Sequence, residues 1–428
     1  MRKEQNALSI SKFQQPWLSL VGLTEAGWQG LAADAKQAVE QASLLVGSAR
    51  QLGLIPEISG QQRLQWSSPL QDGIDEVLQH STEMVCVLAS GDPFWFGIGA
   101  TLSRQLPASA MRCFPGPSAF SLAAARQSWP LQDCLCLSVV ARDVDRLRSV
   151  LAPGQKLLVL SEDGSSPSVV AKTLCAVGYG ASLISAWQRL GGSEESRYSA
   201  VANQWGDVQV DALNTLAIEC IRDHSDNILP KLAGRNESLF VHDGQISKRE
   251  VRAAIIAYLA PQGAEVLWDL GSGSGAIAVE WLLADNRNTA YSVEQKESRC
   301  HNIKENARRF GVSSSLHCFH AANMDVLADL PQPDAIFIGG GISAPGLLAC
   351  CWAALADNGR CVASAVSVEG EAALYAARER YGGELTRIGV ERSEALGRFT
   401  GWQTLRTVTV WHAQKIVDSK SLNSKGEH

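Results

Sequence analysis

The sequence predicts an α/β protein made of more than one domain, and three observations predict it. Its 428 residues are long for a single domain, since domains commonly run about 100–200 residues, so two or three compact units are expected. Strand-like apolar runs and helical stretches alternate almost from end to end, the pattern of α/β architecture with largely parallel sheets. Near the middle a polar stretch, "RDHSDNILPKLAGRNES" (222–238), interrupts that alternation.

Taken in order, the N-terminal "MRKEQNALSISKFQQP" has no apolar h-region, so neither export nor anchoring is indicated and a cytoplasmic protein is expected. Candidate strands follow in "WLSLVGL" (17–23), "MVCVLAS" (84–90), "CLCLSVV" (134–140), "KLLVLSE" (156–162), "ASLISAW" (181–187) and "LNTLAIECI" (213–221). Helical stretches lie between them, such as 31–42 and 168–178. We place the first domain at 16–222 and a linker at 223–235. The second domain, 236–413, restarts with the helical "KREVRAAIIAYLA" (248–260) and continues with strands at 265–270, 289–294, 315–321, 334–338 and 360–366. Two late strands, 384–391 and 405–413, have no helix between them, which predicts an antiparallel pair at a sheet edge. The polar tail 414–428 is expected to be disordered.

Composition excludes several classes. Hydrophobic residues at 46% and charged residues at 19% describe an ordinary soluble protein, and no apolar run approaches the roughly 18 residues of a membrane span. The cysteines are scattered without a CxxC pair, so no metal site is expected and a reducing compartment is. A net charge of −6 argues against a nucleic-acid partner.

"VLWDLGSGSGAIAVEW" (266–281) is the stretch that carries chemistry. An apolar strand ends in an acid, Asp269, and then Gly271, Ser272, Gly273, Ser274 and Gly275 lead into a helix. Glycines permit a tight turn and let a ligand approach the backbone without a Cβ in the way. Glu294, ending the next strand, is placed to accept hydrogen bonds from a ribose diol. A dinucleotide site prefers G-x-G-x-x-G, with a pyrophosphate at the helix N-terminus. The spacing here is G-x-G-x-G, which suits a phosphate-free cofactor bearing an ammonium group, S-adenosylmethionine; the competing reading is a packing turn. The late antiparallel strands also resemble the closing edge of a class I methyltransferase sheet. After the fourth strand, "DAIFIGGGIS" (334–343) offers open backbone at Gly339–Gly341 where amino-group methyltransferases of this class carry an N-P-P-Y-like clamp.

"HDGQISKREVRA" (242–253), the glycine turn, "LPQPDAIFIGGG" (330–341) and "GWQTLRTVTVWHAQK" (401–415), preceded by "ASGDPFWFGIGATL" (89–102), "PGPSAFSLAAAR" (115–126) and "RLGGSEESR" (189–197), together resemble the fused, decarboxylating precorrin-6Y C(5,15)-methyltransferases of cobalamin biosynthesis. The resemblance runs from about residue 17 to 413. It implies a two-lobed tetrapyrrole-methylase (class III) fold followed by a Rossmann-like class I methyltransferase fold, with S-adenosylmethionine as cofactor and a tetrapyrrole as substrate. It implies methylation of carbon 5 by the first domain. Methylation of carbon 15 and decarboxylation of the position-12 acetate fall to the second, and the product is precorrin-8X.

By the same resemblance, Ser247, the turn Gly271–Gly275, Glu294 and the backbone near Asn323 hold the donor in the second domain, and Gly91, Asp92 and Ser118 hold it in the first. Ser247 also reads as an N-cap, with Glu250 three residues on completing a capping box, and Asp92 reads equally as a turn residue capping a helix. "AANM" (321–324) lacks the acid and proline of the family's run. "RQL" (50–52) and "LSVVAR" (137–142) each lack a histidine the family usually carries. Lys248, Arg249, Arg252, Arg398 and Arg406 are candidates for the substrate's carboxylates. Trp402 and Trp411 could stack on the ring or belong to the core. No catalytic proton donor is assigned; His242, Asp243 and Glu369 are the candidates. Two rival readings are an RNA methyltransferase, disfavoured by the charge, and a noncatalytic first domain that docks substrate for the second. Monomer and homo-oligomer both stay open.

Overall fold

The computed structural model describes residues 16–223 and 230–416; the start of the N-terminal segment, the middle of the expected linker and nearly all of the expected tail lie outside them. Two compact units are present, Met1–Val144 with Leu151–Ser225, and Asp145–Val150 with Asp226–His428.

In the first unit, β1 (Leu18–Leu23), β2 (Leu44–Gly47), β3 (Gln62–Gln65), β4 (Val85–Ser90) and β5 (Met111–Phe114) form a parallel sheet in the order β3-β2-β4-β1-β5. Central β1 is buried along its whole length, as a parallel strand covered on both faces requires. Gly22 of β1 shows how tightly its C-terminal end is packed. A Cβ there would meet the Gly91 carbonyl oxygen at 1.9 Å and the Gly116 amide nitrogen at 2.4 Å, so three backbone segments converge where no side chain fits.

A second sheet of the same unit contains β6 (Cys134–Ser138), β7 (Lys156–Leu160), β8 (Leu183–Gln188), β9 (Ser196–Val201) and β10 (Asn214–Glu219), ordered β6-β7-β10-β8-β9. Only β6 and β7 run parallel. β10 is antiparallel to both its neighbours, and β8 and β9 form an antiparallel pair. The expectation of largely parallel sheets fails for this lobe. The physical reason is that β8 turns into β9 with no crossover helix, and a short connection permits only the antiparallel arrangement.

The second unit holds β11 (Val266–Leu270), β12 (Thr289–Glu294), β13 (Leu316–His320), β14 (Ala335–Ile338), β15 (Arg360–Ala365), β16 (Glu384–Ile388), β17 (Glu391–Leu396), β18 (Phe399–Thr404) and β19 (Val408–Gln414). Seven of these form one sheet, β13-β12-β11-β14-β15-β19-β16, in which β19 alone runs antiparallel to both neighbours. The antiparallel edge pair expected from the sequence is therefore β16 and β19. Between them the chain makes an unexpected separate two-stranded ribbon, β17–β18. β19 extends through Gln414, and the Lys415 ammonium donates to the Leu355 carbonyl at 2.6 Å, so the chain is still tied to the sheet where disorder was expected to begin.

Charge is buried behind this sheet. Arg252 and Glu280 have no exposed side-chain surface and pair at 2.9 Å. Glu280 also accepts from the Gly234 and Arg235 amides at 2.8 and 3.0 Å, and Arg252 donates to the Ser247 and Arg235 carbonyls. Arg252 is thus a structural cation and not a substrate ligand, and the end of the segment read as linker is packed into the second unit. Trp411 is core, its indole N–H donating to Gly382, whereas Trp402 on the ribbon is 75% exposed. Among the described residues no helix is long and apolar enough to cross a membrane, and no cluster of metal-ligating side chains occurs.

Candidate active sites

The glycine corner of the second unit lies at the C-terminal end of β11. Gly271, Gly273 and Gly275 all have left-handed backbone, with φ of 67°, 60° and 73°. The Gly271 and Ser272 amides donate to the Val293 carbonyl at 2.9 and 3.1 Å, which ties the turn to β12. On its other side the turn packs on the Gly339–Gly341 loop, whose Gly339 amide donates to Leu270 at 2.8 Å. Gly273 is the open member: a Cβ there would meet only the Gln245 carbonyl, at 3.7 Å. A ligand has access at this point. Ser272 donates to the Asp269 carbonyl at 2.5 Å. Buried Ser274 is held through its carbonyl by Asn306.

Glu294 is buried, one carboxylate oxygen accepting from the Gly273 amide at 2.9 Å and the other from Lys296 at 3.0 Å. Each oxygen keeps lone-pair capacity for a further donor, so bracing the turn and binding a diol are compatible. Asp269 is fully buried with neither carboxylate oxygen in hydrogen-bond geometry. Burial pushes its pKa up to about 7; the Ser272 hydroxyl, the Ala278 amide and the Ser292 hydroxyl oppose this in part, and Glu294 adds to it. With no exposed surface, Asp269 lies behind the turn and offers a ligand no direct contact. An acid held just behind an open glycine turn and a second acid at the next strand end fit a ligand carrying both an ammonium and a ribose.

Other expected residues divide. Ser247 is half-buried, two residues after Gln245, whose carbonyl is the group nearest the open side of Gly273, but it forms no capping box. Lys248 occupies the cap position without a side-chain bond, and Glu250 pairs with Arg392 at 2.8 Å. Asn323 opens a short helix and its side-chain amide donates to the Gly340 carbonyl at 3.2 Å, so the side chain braces the glycine loop. Lys248 and Arg249 begin the helix Arg249–Leu259. Arg398 instead lies at the exposed turn of the ribbon, over the Phe399 ring, and exposed Arg406 follows the ribbon. The ribbon itself is tied to the start of that helix, Arg392 pairing with Glu237 and Glu250 at 2.9 and 2.8 Å. His242 accepts from the Gly244 amide, Asp243 is paired with Arg299 at 2.8 Å, and Glu369 is exposed.

Sequence reasoning missed Asn306. Fully buried, it bonds both backbone groups of Val241 as well as the Ser274 carbonyl, fastening the 241 segment to the glycine turn. The only signal was an amide on the apolar face of a helix.

In the first unit, a cavity of about 570 Å³ is lined by residues that include Gly91, Trp95, Phe96, Ser118, Trp187 and Asn214. Ser118 caps the helix Ala119–Gln127, accepting from the Ser121 amide at 3.0 Å. Gly91 has φ 65°. Asp92 does not line the cavity: its carboxylate accepts from the Phe94 amide at 2.8 Å and closes a local turn, while the following helix, Ile98–Leu102, has Gly97 at its cap position. The positions lacking histidine are occupied by Gln51, buried in a capping box with Ser48 and bonded to Ser90, and by exposed Val140.

Replacing Glu294 by alanine removes the acceptor for two amides and one acid of the corner. Donor affinity at the second unit is expected to fall roughly 10–100-fold, the weight of one or two hydrogen bonds to a charged group. Calorimetric titration with S-adenosylmethionine checks this, and an unchanged Kd refutes it.

Two open α/β sites on two units define a fused pair of methyltransferase-type domains. Residues 18–204 match the family model of tetrapyrrole (corrin/porphyrin) methylases, and residues 238–415 match that of the precorrin methyltransferase domain. A precorrin-6Y C(5,15)-methyltransferase [decarboxylating] from Sinorhizobium sp. is 42% identical over 396 residues, covering 92% of this chain and 96% of its own. The protein of the same description from Mycobacterium tuberculosis is 36% identical over 399 residues, covering 92% and 99%. The crystal structure of the C-terminal domain of precorrin-6Y C5,15-methyltransferase from Rhodobacter capsulatus is 41% identical, covers 44% of this chain and 100% of that one, and has a TM-score of 0.42. The chain belongs to the precorrin-6Y C(5,15)-methyltransferase (decarboxylating) family.

Proposed function

We propose that this chain methylates precorrin-6Y at carbons 5 and 15, using S-adenosylmethionine, and removes the carboxyl group of the position-12 acetate as carbon dioxide, giving precorrin-8X. The observation that carries this reading is similarity to decarboxylating C(5,15)-methyltransferases over 92% of the chain, both domains included. S-adenosylmethionine, when bound, supplies an electrophilic methyl on a sulfonium. In the second unit the turn Gly271–Gly275, Glu294 and the segment at Ser247 would hold it. The turn offers backbone without Cβ obstruction, Glu294 would accept from a diol, and Asp269 stands buried behind the turn.

In-line transfer to a ring carbon needs alignment and exclusion of water more than a strong base, which suits a corner whose polar groups are mostly committed to bracing one another. Decarboxylation places its electron pair in the conjugated macrocycle, so the protein's task is to keep the acetate out of water and aligned with the ring. In the first unit, Gly91 and Ser118 would face the donor within the cavity, and Asp92 would shape the turn.

Mass spectrometry of the product formed from precorrin-6Y and excess donor tests the reading. Two methyl groups gained and one carbon dioxide lost are expected. A single methyl gained would favour a docking role for the first unit, a reading supported by Gln51 and Val140 standing in place of histidines. No change in mass would overturn the proposal.

A further inference from the structure

Three consecutive aromatic residues follow Pro93 and all are exposed: Phe94 by 45%, Trp95 by 38% and Phe96 by 44%. Contiguous large apolar surface of this kind on a soluble protein marks a place where something binds. Trp95 and Phe96 line the first unit's cavity, and both rings lean on the buried Phe120, with centroids 5.5 and 5.9 Å away. They are therefore propped on one side while keeping 38% and 44% of their surface exposed. Val140, 47% exposed, lines the same cavity.

Two further features single out this lip. Phe96 and Ala141 both adopt left-handed backbone, with φ of 56° and 51°, which is unfavourable for residues bearing a Cβ and persists where the surroundings hold it in place. Next to Ala141, the Arg142 guanidinium lies over the Phe96 ring, 5.1 Å from its centroid. Arg142 is exposed, and among the described residues no carboxylate pairs with it. The cavity lip thus combines an apolar ring surface with a stacked guanidinium whose N–H edge is uncommitted.

We infer that Phe96 and Arg142 position the acceptor in the first unit: Phe96, with Trp95 and Val140, takes a face of the macrocycle, and Arg142 takes one of its peripheral carboxylates. The inference rests on the reading given under Proposed function and adds to it the residues that select an acidic, flat acceptor. Stacking on Phe96 orients the guanidinium plane, and a planar fork is suited to bidentate carboxylate binding. The left-handed backbone lies at Phe96 itself and at Ala141, the residue before Arg142.

The test uses the full chain, S-adenosylmethionine and precorrin-6Y at varied concentration, with methylation at carbons 5 and 15 followed separately by mass spectrometry and NMR of the product. In Phe96→Gly the ring is lost while the left-handed backbone is relieved, so the melting temperature is expected to hold or rise. Phe96→Gly and Arg142→Gln are each expected to raise KM for the macrocycle in the carbon-5 transfer roughly ten-fold, the weight of one charged or stacking contact. Donor affinity, carbon-15 methylation and decarboxylation stay at wild-type values, and Arg142→Lys recovers part of the loss. Unchanged KM in both variants, with wild-type protein methylating carbon 5, overturns this inference alone. A wild-type protein that leaves carbon 5 unmethylated overturns the parent reading, and this inference falls with it.

Discussion

Gly271→Ala is expected to empty the donor site of the second unit while sparing the first. Alanine at φ 67° costs about 1–2 kcal/mol for the left-handed backbone alone. The larger effect is steric. The new Cβ would lie 2.7 Å from both the Gly340 amide nitrogen and its Cα, and 3.0 Å from its carbonyl oxygen. These are backbone atoms of a neighbouring loop and cannot swing aside as a side chain can. The turn and the loop must separate, which breaks the Gly339–Leu270 bond and moves the Gly340 carbonyl that Asn323 holds. Calorimetric titration should then report about one donor per chain, against the two expected of wild type. Carbon-15 methylation should fall at least 100-fold, as expected when a positioning element shifts by about 1 Å, while carbon-5 methylation persists. Gly273→Ala provides the contrast: it carries the same backbone cost, φ 60°, in open space, and should weaken donor binding far less. Two donors bound with full affinity to Gly271→Ala would refute the assignment of this corner.

How much of this was legible in the sequence depends on how local the signal was. The corner itself was legible because a buried apolar strand, three glycines and an acid at the next strand end all follow from short-range requirements. The strands missed in the first unit, β2, β3, β5 and β9, run only four to six residues, and β3 and β9 are polar edge strands whose composition reads as loop. The β8–β9 pairing follows from its short connection, but the insertion of β10 antiparallel between β7 and β8 is set by which strand enters beside which, and no local pattern encodes that. Ribbon β17–β18 was invisible for a different reason: its Leu396, Phe399 and Trp402 are exposed by 67%, 65% and 75%, so the apolar positions of its sequence were not marking a core. Arg252 was misjudged in the same way: it was weighed as a ligand because its chemistry suits one, whereas it is satisfied by a buried acid 28 residues away. Asp92, read both as a ligand and as a turn residue, does accept from an amide two residues on. Single-residue chemistry is ambiguous until its hydrogen-bond partner is known.

Glu280→Ala carries the largest expected loss of stability. Glu280 lies on the helix Ala276–Ala284, which is buried nearly all round, and its carboxylate receives the Arg252 guanidinium and two backbone amides. Removing it leaves a fully buried guanidinium without a counter-charge beside Arg235, which is itself buried and already held below the usual arginine range by that burial. Breaking a buried pair from one side typically costs about 3–5 kcal/mol, which for a domain of this size lowers the melting temperature by roughly 10 °C. Thermal melts of the full chain should show the transition of the second unit shifted, with that of the first unit in place. The double variant Arg252→Met/Glu280→Leu should recover part of the loss, because an apolar pair removes the stranded charge but still leaves the Gly234 and Arg235 amides without acceptors. The coupling reaches the donor site through Arg252, whose guanidinium holds the Ser247 carbonyl. Donor affinity at the second unit should therefore weaken in Glu280→Ala even below its melting temperature. A variant that melts like wild type would mean that water or repacking satisfies Arg252, and the role of this pair in setting the Ser247 segment would have to be abandoned.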